Sequence, residues 1–172
     1  MAISVSKDLQ RVQKLSQDAI KDYGRGKLKD ARKSASKLLN HKKATAYYLF
    51  QVGVAAYNTK DLDASLKLHN AELDLPEDKN SPRENILLSR GLVQSELGTL
   101  DAALNDFSSV FSLSPNDVRA YNNRAITLQK CDKKAEAVAD LEKALDLDPA
   151  YFNAAINLIN HFQNTGETGK AI

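Results

Sequence analysis

Tryptophan is absent from this chain of 172 residues, cysteine and methionine occur once each, and proline occupies only four positions. A single cysteine, Cys131, rules out an intrachain disulfide, and the expected compartment is the reducing cytoplasm. Seven glycines and four prolines are too few for a fold of many tight turns, which argues against a β-sandwich or barrel. No window approaches the roughly 20 apolar residues of a membrane-spanning helix. The N-terminal residues, from Met1 to Asp8, lack the apolar stretch of a secretion signal. What remains is 42% hydrophobic and 27% charged residues, the balance of a folded, mostly helical chain.

Charge is unevenly spread. Residues 1–43 hold twelve Lys and Arg against four Asp, a net +8, and the remaining residues hold twelve against eighteen, a net −6. Nucleic-acid binding would call for aromatic side chains interleaved with the cations, and this stretch offers only Tyr23. The basic segment therefore reads first as a solvated helical face, with an acidic partner as the weaker alternative.

The strongest pattern is periodic. Ala103, Phe107, Val110 and Pro115 are followed thirty-four residues later by Ala137, Leu141, Ala144 and Pro149. A period of this length signals stacked helix-turn-helix units, each burying its apolar face on its neighbours. Within residues 84–117 the series runs Leu87, Arg90-Gly91, Gln94, Leu97-Gly98-Thr99, Ala103, Phe107, Val110 and Pro115. Gly98 suits the left-handed residue that ends a first helix, and Thr99 suits the cap of a second. Pro115 suits the first turn of the following helix, with Ser114 as its cap.

This series resembles the tetratricopeptide repeat, and the resemblance implies an all-α, right-handed solenoid of antiparallel hairpins. The approximate units are 12–44 (degenerate), 45–83, 84–117, 118–151 and 152–172 (incomplete or capping). The unit 118–151 departs from the family at Arg124, Asp132 and Lys134, which is expected to loosen its fit. In 45–83, Leu68, Ala71 and Pro76 fit only if one residue is missing at the turn, and 77–83 forms a longer loop. Ser81-Pro82-Arg83-Glu84 reads as a capping box restarting a helix. At the other end Leu158, Ile159 and Phe162 would lie uncovered, and the turn-like Gly166–Ala171 leads toward a second helix, so the array is expected to continue past Ile172. A homodimer through this end is the second choice.

The family lines its concave groove with the first helix of each hairpin. Carried over by position, the partner-binding residues are Asn85, Leu88, Ser89 and Leu92; then Arg119, Asn122, Asn123, Ile126 and Lys130; then Asn153, Ile156, Asn157 and Asn160. Asn123 and Asn157, thirty-four residues apart, are expected to stack and pair with the backbone of an extended peptide. Arg119 would meet a carboxylate or else pair with Asp117 or Glu142. The carboxylate clamp of the family's chaperone adaptors finds Phe50, Val54, Ser89, Arg119 and Asn123 at its positions, and only Arg119 is a basic match.

No catalytic set, metal site or cofactor motif is read from the sequence. His41, His69 and His161 are scattered, and none has a partner at metal-ligand spacing. The expectation is a non-enzymatic scaffold for a protein or peptide partner, without a small-molecule substrate, nucleic acid or membrane span. The alternatives are self-association through the repeat ends and the substrate-positioning arm of a larger enzyme.

Overall fold

The computed structural model describes residues 6–166. Among these residues the chain forms nine helices: α1 (Lys7–Gly24), α2 (Leu28–Leu39), α3 (Ala46–Asn58), α4 (Leu62–Leu73), α5 (Arg83–Leu97), α6 (Leu100–Leu113), α7 (Val118–Lys130), α8 (Lys134–Leu147) and α9 (Phe152–Thr165). The all-helical hairpin architecture agrees with the sequence reading. A lone bridge between Asp78 and Ser81 pinches the long α4–α5 connection. The second helix anticipated near Ala171 falls outside the described residues.

Packing divides the chain into two units, residues 1–93 and 94–172. In the first, α1 pairs with α2 and α3 with α4; in the second, α7 pairs with α8, α6 lies against α7, and α9 lies against α8 and α7. Each first helix stops where one residue turns left-handed: Gly26 (φ 70°), Lys60 (63°), Gly98 (81°), Asp132 (58°) and Gly166 (75°). These residues are spaced by thirty-four, thirty-eight, thirty-four and thirty-four positions, so the turn is the constant of the repeat and the long connection absorbs the four extra residues. Lys60 and Asp132 adopt this backbone without glycine, at a cost on the order of 1 kcal/mol each.

That register corrects the reading of 45–83, in which no residue is missing. Counting from Lys60 as from Asp132 puts Ser65, His69 and Glu72 where α8 has Ala137, Leu141 and Ala144. All three are buried, with Ser65 and His69 wholly so. Polar side chains at apolar positions hid the register, and Leu68 and Ala71 offered a false one a residue early. Ser65 resolves its burial by donating to the Gly53 carbonyl at 2.9 Å. The His69 and Glu72 side chains satisfy each other, Nδ1 to Oε2 at 3.0 Å, while His69 Nε2 and Glu72 Oε1 find no partner. Burial raises the Glu72 carboxyl above its usual range, against the opposing bond to His69.

The degenerate unit 12–44 is anchored to the next hairpin by charge. Asp61, next to the Lys60 turn, is buried and accepts two bonds from Arg32, at 2.7 and 3.0 Å, and one from Tyr23 at 3.1 Å. Burial alone would raise its carboxyl, but the bonds from Arg32 and Tyr23 prevail and hold it below the ordinary range.

Three expected caps form differently. Thr99 makes no side-chain bond to α6; its hydroxyl instead donates back to the Gln94 carbonyl at 3.1 Å, closing the end of α5. Pro115 lies before α7 rather than in its first turn, and the cap is Asp117, whose carboxylate accepts from Arg119 N at 2.9 Å. Ser81 Oγ is buried without a partner, so the capping box does not form, and the Pro82 carbonyl opens the helix by accepting from Ile86 at 3.3 Å.

Arg124 does not loosen its unit. Its guanidinium grips Asp140 of α8 with two bonds, at 2.7 and 2.6 Å, and lies 4.5 Å from the Phe111 ring centre on α6. A charged fork stacked on an aromatic ring thus ties three helices where an apolar side chain was anticipated.

Candidate binding face on α7 and α9

In the second unit the pairing of α7 with α9 follows from small residues: Ala125 and Ala154 are fully buried in one cluster and let the helices approach. The asparagines of the two helices meet there. Asn122 is buried, 5% exposed, and its Oδ1 accepts from Asn157 Nδ2 at 2.8 Å. Its own Nδ2 donates to Asn123 Oδ1 at 3.3 Å. The three amides form one directional chain, Asn157 to Asn122 to Asn123. Asn157, expected to sit above Asn123, is linked to it through Asn122. Both outer asparagines are half-buried, and the chain leaves the Asn123 amide nitrogen and the Asn157 carbonyl oxygen at its two ends.

A second cluster was not anticipated. Ser95, in the last turn of α5, is buried, and Thr127 Oγ1 lies 2.9 Å from its hydroxyl. Lys130 Nζ donates to the Ser95 carbonyl at 2.8 Å and to its hydroxyl at 3.1 Å. The groove position assigned to Lys130 thus holds a cation already engaged within the protein. Ser95 and Thr127 were missed because a lone hydroxyl residue carries no periodic signal.

Arg119 is likewise engaged: Nε reaches Asp117 Oδ1 at 3.0 Å and Nη2 reaches Oδ2 at 2.6 Å. Burial would raise the Asp117 carboxyl, but the bonds from Arg119 hold it below the ordinary range. Of the two roles open to Arg119, the structure provides the pairing with Asp117. Ile126 is half-buried, Ile156 is 38% exposed, and Asn153 and Asn160 are exposed. In the first unit Asn85, Ser89 and Leu92 are half-buried, while Leu88 is only 6% exposed and offers little surface to a ligand.

The remaining chemistry is sparse. Cys131 is a free thiol of intermediate exposure, and among the described residues no cluster of three or more His, Cys, Asp or Glu is set to hold a metal. No helix among them is long and apolar enough to cross a membrane.

Residues 118–151 match the sequence profile of the Tetratricopeptide repeat. The chain is 41% identical over 49 residues to Hsp70-Hsp90 organizing protein 3 of Arabidopsis thaliana, a stretch that is 28% of this chain and only 9% of that protein. In fold it is similar to MamA of Desulfovibrio magneticus RS-1, with a TM-score of 0.75 and 20% identity, over 98% of this chain and 91% of that one. It is also similar to YrrB, described as a TPR protein with an unusual peptide-binding site, with a TM-score of 0.65 and 20% identity, over 77% of this chain and 66% of that one. Residues 118–151 are thus a tetratricopeptide repeat by sequence, and the helical hairpins separated by the recurring left-handed turn share the fold of these solved structures.

Proposed function

We propose that the α7/α9 face binds an extended peptide segment of a protein partner through the asparagine chain, and that the protein acts as a scaffold rather than an enzyme. The observation that carries this is the directional chain Asn157–Asn122–Asn123, anchored on a buried amide. Its ends offer one donor and one acceptor, the complement of a peptide unit, and backbone pairing of this kind is indifferent to the ligand's side chains. Ile126 and Ile156 border the amides and supply apolar contact.

Charge plays little part in this reading. Arg119 and Lys130 are both occupied, so an acidic peptide terminus gains no ready cation here, and the chaperone-tail mode is disfavoured. YrrB's description as a peptide binder gives the reading support from a protein of similar fold.

The test is to select a binding peptide from a random displayed library on the whole protein and measure its Kd against wild type and Asn123→Ala/Asn157→Ala. A loss of about 10-fold or more with unchanged helical circular dichroism is expected, corresponding to two lost hydrogen bonds. An unchanged Kd refutes the proposal.

A further inference from the structure

The repeat register exposes an anomaly on α1. On α7, Ala120 and Thr127 are fully buried and Arg124 stacks on Phe111 of the preceding helix, so this is the face a first helix turns toward what precedes it. On α3 the same positions are Tyr48, Val52 and Ala55, of which Val52 is fully buried. On α1 they are Lys14, Asp18 and Lys21. A face that is packed in two other units is here charged and accessible, so whatever helix covers it must bring carboxylates to the cations.

The cations are ordered, not scattered. Lys7, Arg11, Lys14, Lys21 and Arg25 are all exposed and follow one another at intervals of four, three, seven and four. The gap of seven is divided by Asp18, which continues the same row. The intervals then alternate four and three and average 3.6 residues, the period of the α-helix itself, so they form one straight stripe of about 27 Å, the length of an 18-residue helix. Among the described residues no carboxylate lies within ion-pair distance of these five cations, whereas Arg119, Arg124, Lys133 and Lys134 in the second unit all have one. Beside the stripe, Arg11, Ser36, Lys37, Asn40 and His41 line a cleft of about 310 Å³ between α1 and α2.

We infer that this stripe docks an acidic helical segment of a partner protein, with carboxylates at heptad spacing. A straight row with intervals alternating four and three matches another helix laid alongside, as in the flanking charge pairs of coiled coils. The alternatives fit less well. A membrane-lying helix needs its apolar face for lipid, and that face of α1, with Val12, Ala19 and Tyr23, is buried in the first unit. A nucleic acid would meet Asp18 in the middle of the row and no aromatic on it.

The experiment uses the full chain and a fluorescein-labelled synthetic peptide of three heptads, Glu at positions one and five and Ala elsewhere. Anisotropy titration should show saturable binding that weakens several-fold between low and physiological salt. Lys14→Glu/Lys21→Glu, at two exposed positions, should reduce affinity at least 10-fold with helicity intact, and Asp18→Lys should raise it several-fold. Asn123→Ala/Asn157→Ala should leave it unchanged, which separates this surface from the α7/α9 face. Equal binding of a peptide with the same composition but scrambled Glu spacing overturns the helical row. Stronger binding to phosphatidylserine vesicles or duplex DNA than to the peptide, or unchanged affinity in either α1 variant, also overturns the proposal.

Discussion

The α3/α4 and α7/α8 hairpins share one backbone plan and fill it with opposite chemistry. Where α7/α8 closes over Ala125, Ala137, Leu141 and Ala144, all fully buried, α3/α4 closes over Gly53, Ser65, His69 and Glu72. The first is an apolar seam whose ion pair, Arg124 with Asp140, lies at its edge; the second puts an ionisable pair, His69 with Glu72, inside, with both side chains 0% exposed. The difference shows that the left-handed turn and its spacing, more than the identity of the core residues, define the unit. It also shows that sizes are traded within a hairpin. A Cβ on Gly53 would lie 2.7 Å from His69 Cε1, whereas Ala125 and Leu141 coexist in one cluster.

The largest expected effect breaks the apolar seam. Leu141→Ala should destabilise the second unit by about 2–5 kcal/mol, because a fully buried leucine leaves a cavity that small neighbours cannot fill. Chemical denaturation followed by circular dichroism measures it. A loss under about 1 kcal/mol would mean that this seam is loosely packed and the comparison misdrawn.

Converting the polar hairpin to the apolar plan is the next step down. His69→Phe with Glu72→Val copies Phe107 and Val110 of the following unit and should stabilise by about 1–4 kcal/mol, as replacing a buried ionisable pair often does. The pH dependence carries a definite sign. The folded state holds Glu72 above its ordinary range, so it binds more protons than the unfolded state in that interval, and stability falls as pH rises through it. Denaturation midpoints across pH 4–8 should show this slope in wild type and lose it in the double variant.

A smaller effect tests the size trade itself. Gly53→Ala should cost about 1–3 kcal/mol through overpacking on His69, and less than about 0.5 kcal/mol in a His69→Leu background, which reproduces the Ala125–Leu141 combination. Additive costs in the double-mutant cycle would show that the two positions do not share space.

These hairpins also explain how much was legible. The units at 84–117 and 118–151 announce themselves because Ala103, Phe107 and Val110 recur in kind at Ala137, Leu141 and Ala144. The α3/α4 register was obscured because hydrogen bonding let polar Ser65, His69 and Glu72 take core positions, a choice that depends on partners distant in sequence. The asparagines of α7 and α9 were visible as a cluster, but which amide bonds which depends on side-chain geometry that spacing does not carry. Arg124 was misjudged for the same reason: only Phe111 and Asp140, from two other helices, make its burial favourable.

The central functional claim is that a peptide pairs with the ends of the amide chain, and side-chain amide resonances report on it directly. In an ¹⁵N-labelled sample titrated with the selected peptide, the Asn123 and Asn157 side-chain amides should shift most, with Asn122 following as their shared partner and α1–α2 unchanged. Saturating binding that leaves the Asn123 and Asn157 amides in place would contradict the account.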